Sequence, residues 1–123
     1  MANNGILVLV ESPFAGEIAK NVRYARACIH DCLIRGEYPF ASHLFYTQTG
    51  ILRDEIPGER KLGIDAGLAW GKKADKTVVY MDLGLSQGMQ YGIKAAKEAD
   101  RPIEFRYLPD WEELVKSDQP LGF

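Results

Sequence analysis

Apolar and polar positions alternate between two regimes along this chain. Gly5-Ile6-Leu7-Val8-Leu9-Val10-Glu11 is a nearly unbroken apolar run, as expected of a central parallel strand covered on both faces. Ser12-Pro13-Phe14-Ala15-Gly16 interrupts it. From Glu17 to Arg35 the positions Ile18, Val22, Ala25, Ile29, Cys32 and Leu33 recur at helical spacing, and Gly36 closes that helix. A short strand is expected around Tyr38 to Ala41. After it, Ser42 to Gly58 reads as a long connection, and connections of that length inside a compact domain tend to be functional. Pro57-Gly58-Glu59 opens a helix reaching about Lys73. A strand at Thr77 to Met81, a helix from Ser86 or Gln87 to about Ala99 and a strand at Pro102 to Phe105 follow. Asp110 is placed to cap a last short helix at Trp111 to Val115, within a C-terminal tail that otherwise reads as irregular from about residue 107.

Strands alternating with helices predict one α/β domain with a parallel sheet and right-handed crossovers. Ligands of such sheets bind beyond the carboxyl ends of the strands. Attention therefore falls on Ser12 to Gly16, on His43 to Tyr46, and on Asp82 to Met89. Ser12-Pro13-Phe14-Ala15-Gly16 has neither the G-x-G-x-x-G spacing nor a Gly-Lys-Ser/Thr sequence. It is either a turn whose amides and Ser12 hydroxyl meet a sugar or phosphate, with Phe14 against a base, or a Pro-fixed turn with Phe14 in the core. The stretch Ser86-Gln87-Gly88-Met89-Gln90-Tyr91-Gly92 carries two glycines into the first turns of a helix, where each costs roughly 1 kcal/mol against alanine. Ser86 is placed to cap the helix or bind a ligand, and Gly88 lets a ligand approach the backbone. Asp65, with Leu62 and Leu68 three residues to either side, is expected to be shielded from solvent, or else to pair with Lys61.

Composition narrows the function. The chain has 123 residues, 46% hydrophobic and 26% charged, with a net charge of −2, which gives no electrostatic footprint for nucleic acid. No apolar run spans a bilayer and no basic segment precedes the first strand, so a cytoplasmic protein is expected. Cys28 and Cys32 stand four apart on one helix, a poor geometry for a disulfide and too few ligands for a metal. Buried reduced thiols are expected, with no metal and no cofactor.

Five stretches then point to a family. "VESPFAG", "NVRYARACI", "PFASHLFY", "GIDAGLAWGKKAD" and "SQGMQYGIKAAK" together resemble the nucleoside 2-deoxyribosyltransferase-like proteins, closest to a small uncharacterised branch found in phages and bacteria. The resemblance runs from about Gly5 to Phe105. It implies a flavodoxin-like Rossmann three-layer sandwich with a mostly parallel sheet of four or five strands, in a homo-oligomer. It also implies action on an N-glycosidic bond through a glutamate four residues past the glycine of the S-x-G turn. That position here is Gly92, which has no side chain to attack an anomeric carbon. Asp65 matches the family's assisting aspartate, and Ser86 and Gly88 match the turn that holds the sugar or phosphate. The expected ligand-binding set is Ser12, Pro13, Phe14, Gly16, His43, Tyr46, Asp65, Ser86, Gly88, Met89 and Gly92, with Asp65 the weak catalytic candidate. Two functions follow from the resemblance, and binding is the favoured one because the pocket residues are kept while the nucleophile is not. One is binding of a nucleotide or ADP-ribose-type small molecule, as in phage-type sequestration of a host nucleotide immune signal. The other is a nucleoside or nucleotide N-glycosidase or deoxyribosyltransferase with a relocated acid: Asp65, Glu11 or His43.

Overall fold

The structure, a computed structural model, describes residues 5–115. Four strands, β1 (Leu7–Glu11), β2 (Tyr38–Phe40), β3 (Lys76–Tyr80) and β4 (Ile103–Arg106), form a parallel sheet in the order β2-β1-β3-β4. Between them run α1 (Ile18–Ile34), α2 (Ser42–Phe45), α3 (Pro57–Gly71) and α4 (Gln87–Glu98), with α5 (Trp111–Leu114) after the last strand. Chain direction across the sheet reverses between β1 and β3, so the topological switch point lies at the ends of the two best-covered strands.

Alternation along β1 sorts its side chains between two layers. Val8 and Val10 join Val78 and Tyr80 in a core shared with Tyr24, Ala27, Cys28 and Cys32 of α1 and with Trp111 of α5. Leu9 and Glu11 point to the opposite layer, where α3 and α4 pack. A Cβ built at Gly71 of α3 lies 3.0 Å from Leu9, and one built at Gly92 of α4 overlaps the Glu11 carboxyl. Local signals set the helix ends. Gly36 takes φ +83° after α1, and the Glu37 N–H donates back to the Cys32 carbonyl at 3.0 Å. Ser86 caps α4, accepting from the Met89 N–H at 3.2 Å. Both cysteines are buried and unbridged.

Three expectations change. The connection from Ser42 to Gly58 is not wholly irregular, because it starts with α2 before breaking into turns. The chain after residue 107 is tied down: Asp82 accepts from the Leu108 N–H at 2.8 Å and from the Tyr24 hydroxyl at 2.7 Å, and Trp111 packs edge-on against Tyr24 at 5.2 Å. Asp110 stands before α5 but makes no side-chain cap bond. The rest of the expected irregular tail, from Lys116 to Phe123, lies outside the described residues. Beneath the sheet the sequence conceals a buried ion network. Arg106, 4% exposed, makes paired bonds to Glu37 at 2.9 and 2.7 Å, and Lys76 bridges Glu37 and Glu104. Among the described residues, no helix is long and apolar enough to cross a membrane.

Candidate active site

The last residue of β1 is the centre of the site. Main-chain pairing with β3 fixes Glu11 at the carboxyl end of the strand, and alternation turns its side chain toward α4. There Gly92 is the reason it fits, since any Cβ at that position would occupy the same space as the carboxyl group. Among the described residues no hydrogen bond or ion pair holds this carboxyl. Burial pushes its pKa up from 4.5 to about 8, with the Arg101 guanidinium pulling weakly the other way. Glu11 is therefore a neutral acid over most of the range below pH 8, with a proton to give.

A cavity of about 250 Å³ opens in front of it, slightly below the roughly 300–1,000 Å³ usual for ligand sites. One wall is the turn after β1, where Ser12 and Phe14 face the cavity. The Asn21 amide holds that turn by donating to the carbonyls of Phe14 and Ala15 at 2.9 and 3.1 Å. The second wall is α2, packed so closely on α3 that a Cβ at Gly67 would collide with Ser42. This close approach brings His43 to Ser12, with 2.7 Å between Nε2 and Oγ. Burial holds the imidazole down at about pKa 4, so it is neutral at physiological pH. Tyr46 completes this wall, its hydroxyl accepting from the Trp70 indole at 2.9 Å. The third wall is the start of α4: Ser86, Gly88, Met89 and Gly92. Arg60 and Asp54, 3.6 Å apart, stand where the cavity meets two shallower grooves, and they line all three.

Of the residues expected from sequence, Ser12, Phe14, His43, Tyr46, Ser86, Gly88, Met89 and Gly92 come together around this cavity. Phe14 faces it and is not in the core. Pro13 is buried behind the turn, and Gly16 opens onto a neighbouring groove. Asp65 stands apart. It is exposed on the outer side of α3 and bonded to Lys61 at 2.7 Å, because the flanking leucines do not cover it: Leu62 is itself 61% exposed. Asp54 and Arg60 were absent from the expected set, and Glu11 was expected only as a candidate relocated acid, outside the binding set. Glu11 ended an apolar strand, and that position relative to the switch point was the available signal. Nothing in the spacing of Asp54 and Arg60 announced them.

Residues 6–106 match the family described as a domain of unknown function, DUF7768. The chain belongs to the DUF7768 family. A search of curated proteins finds no match. Among solved structures, this DUF7768 domain is similar to the 2-deoxyribosyltransferase of the psychrotolerant bacterium Bacillus psychrosaccharolyticus. The TM-score is 0.58 at 19% identity, over 91% of this chain and 92% of that one. The fold is thus that of the deoxyribosyltransferase-like, flavodoxin-like sandwiches, over nearly the whole length of both chains. The cleft of this DUF7768 domain has a carboxyl delivered from β1 into the space beside a glycine of α4. No group of three or more His, Cys, Asp or Glu that could hold a metal ion occurs among the described residues.

Proposed function

We propose that this cleft takes a nucleoside- or nucleotide-derived small molecule and that the chain acts on its N-glycosidic bond, with Glu11 as the working acid. The observation that carries this reading is the Glu11 carboxyl, without a hydrogen bond or ion pair among the described residues, which fills the space left by Gly92 and faces a cavity at the switch point. Departure of a nucleobase needs a proton on the leaving nitrogen, and a carboxyl kept neutral by burial supplies one. Ser86 and the cavity-lining backbone at Gly88 suit the sugar or a phosphate, and Phe14 suits a base. Of the three candidates for a relocated acid, Asp65, Glu11 and His43, this reading takes Glu11.

A second reading keeps the ligand intact. Gly92 at the family's nucleophile position favours it, and the grooves beyond Arg60 and Asp54 offer room for a larger ADP-ribose-type molecule. In that case the protein sequesters a nucleotide signal, as a phage-type anti-defence protein does. The experiment is incubation with a panel of 2′-deoxyribonucleosides, their 5′-monophosphates and cyclic ADP-ribose isomers, followed by chromatography. Free base supports the first reading. A thermal shift with intact ligand recovered after denaturation supports the second, and neither free base nor a shift with any member refutes both. The natural setting is expected to be a cytoplasmic homo-oligomer, testable by light scattering.

A further inference from the structure

We infer that His43, acting through the Ser12 hydroxyl, is the base that activates a water against the sugar while Glu11 protonates the departing nucleobase. This inference rests on the cleavage reading above. Two groups with opposite tasks line one cavity from different elements. Glu11 reaches it from β1 against α4, and His43 from α2 with Ser12 in its grasp. Ser12 is 4% exposed, and its hydroxyl lies 2.7 Å from the imidazole, so the proton it loses has a place to go. Burial supports the same division of labour, keeping the carboxyl protonated and the imidazole free.

The step balances with water as co-reactant. The bond between the anomeric carbon and the base nitrogen breaks, and its electron pair takes the Glu11 proton. The water oxygen bonds to the anomeric carbon, its proton passes to the Ser12 oxygen, and the Ser12 proton passes to His43 Nε2. Solvent then returns a proton from the imidazolium to the Glu11 carboxylate. One displacement by water inverts the anomeric centre, with no covalent sugar–protein intermediate. Glu11 and Ser12 meet the reacting atoms in this scheme, and His43 is the positioning residue that acts through Ser12 and receives its proton.

The other ionisable groups of the cleft come from the elements around them: Tyr46 and Asp54 before α3, Glu59 and Arg60 on α3, Tyr91 on α4, and Arg101 behind Glu11. Arg60 is paired with Asp54, and the Glu59 carboxylate accepts from the Arg53 N–H at 2.9 Å. Catalysis by Glu11 and His43 is therefore expected to hold a plateau between about pH 4 and about pH 8, failing on the acid side as His43 protonates and on the alkaline side as Glu11 ionises.

The test uses the full chain with 2′-deoxyribonucleosides and their 5′-monophosphates. Base release is followed by absorbance, the released sugar by early-time proton NMR, and binding by thermal shift. Expected are an inverted sugar and the stated plateau. His43→Asn and Glu11→Gln should each lose roughly 100-fold or more in kcat while keeping the ligand-induced thermal shift. His43→Asn should also lose the acid limb of the profile. A retained anomeric configuration, a trapped sugar adduct, or base release by His43→Asn at the wild-type rate overturns the inference while leaving the cleavage reading intact. Binding without any base release removes the inference and the cleavage reading together, leaving the sequestration reading. Absence of any thermal shift and any base release with wild type removes the ligand assignment itself. The wild-type stereochemistry and pH profile decide the matter even where a variant fails to fold.

Discussion

Replacing Glu11 by Gln should change how stability depends on pH, and the sign follows from two partly buried groups of the cleft. Glu11 has a pKa of about 8 in the folded chain against 4.5 for an ordinary glutamate. The folded state therefore keeps a proton that the unfolded chain gives up. The associated stability is fully present below 4.5 and is lost as pH rises through 8, by at most ~1.4 kcal/mol per pH unit. His43 works the other way. Its pKa falls from 6.5 to about 4, so its contribution is present above 6.5 and is lost as pH falls through 4. Between 4.5 and 6.5 the two slopes oppose and largely cancel. From 6.5 to 8 the Glu11 slope dominates, tapering toward its folded pKa and slightly offset by the last of the His43 slope, and wild type should lose about 1 kcal/mol. Glu11→Gln has nothing to ionise and should hold its stability across that interval. Urea unfolding at closely spaced pH values measures this, with the denaturant slope checked for constancy. A wild type that is flat from 6.5 to 8, or a Glu11→Gln variant that falls in parallel with it, would refute the burial argument for Glu11.

Other outcomes follow from the glycines and the ion network. Gly88→Ala meets nothing closer than 3.9 Å and removes a helical glycine, so it should match or exceed wild-type stability by up to ~1 kcal/mol; if the ligand needs that backbone, the nucleotide thermal shift disappears. Gly92→Ala pushes against the end of a flexible side chain, costing about 1 kcal/mol and roughly cancelling the helix gain. In a Glu11→Ala background the gain of ~1 kcal/mol should stand alone, and equal effects in both backgrounds would disprove the contact. Arg106→Met strips Glu37 of its paired bonds in a buried site, and chemical denaturation should show a loss of roughly 3 kcal/mol, at the low end of the usual range because Lys76 remains.

The order of elements could be read from the chain because each depends on short-range facts. A continuous apolar run makes the buried β1, 3.6-residue periodicity makes α1, Gly36 stops it, and Ser86 starts α4. Boundaries shifted by a residue or two, as helix and strand ends do. Asp65 shows where that logic fails. Apolar neighbours along a helix say that a face exists, not that another element covers it, and here solvent does.

By itself the sequence determined that strands and helices alternate, that the sheet is parallel, and that the loops after the strands are where a ligand site is expected. It also determined that no side chain stands at position 92. Tertiary packing alone decided what fills that gap, because Glu11 and Gly92 are distant in the chain and meet only when α4 lies across the end of β1. The same holds for the hydrogen bond between Ser12 and His43, which depends on α2 settling against Gly67 of α3. Periodicity reports which way a residue faces along its own element. The proton a buried group keeps or loses is set by whatever the fold brings against it.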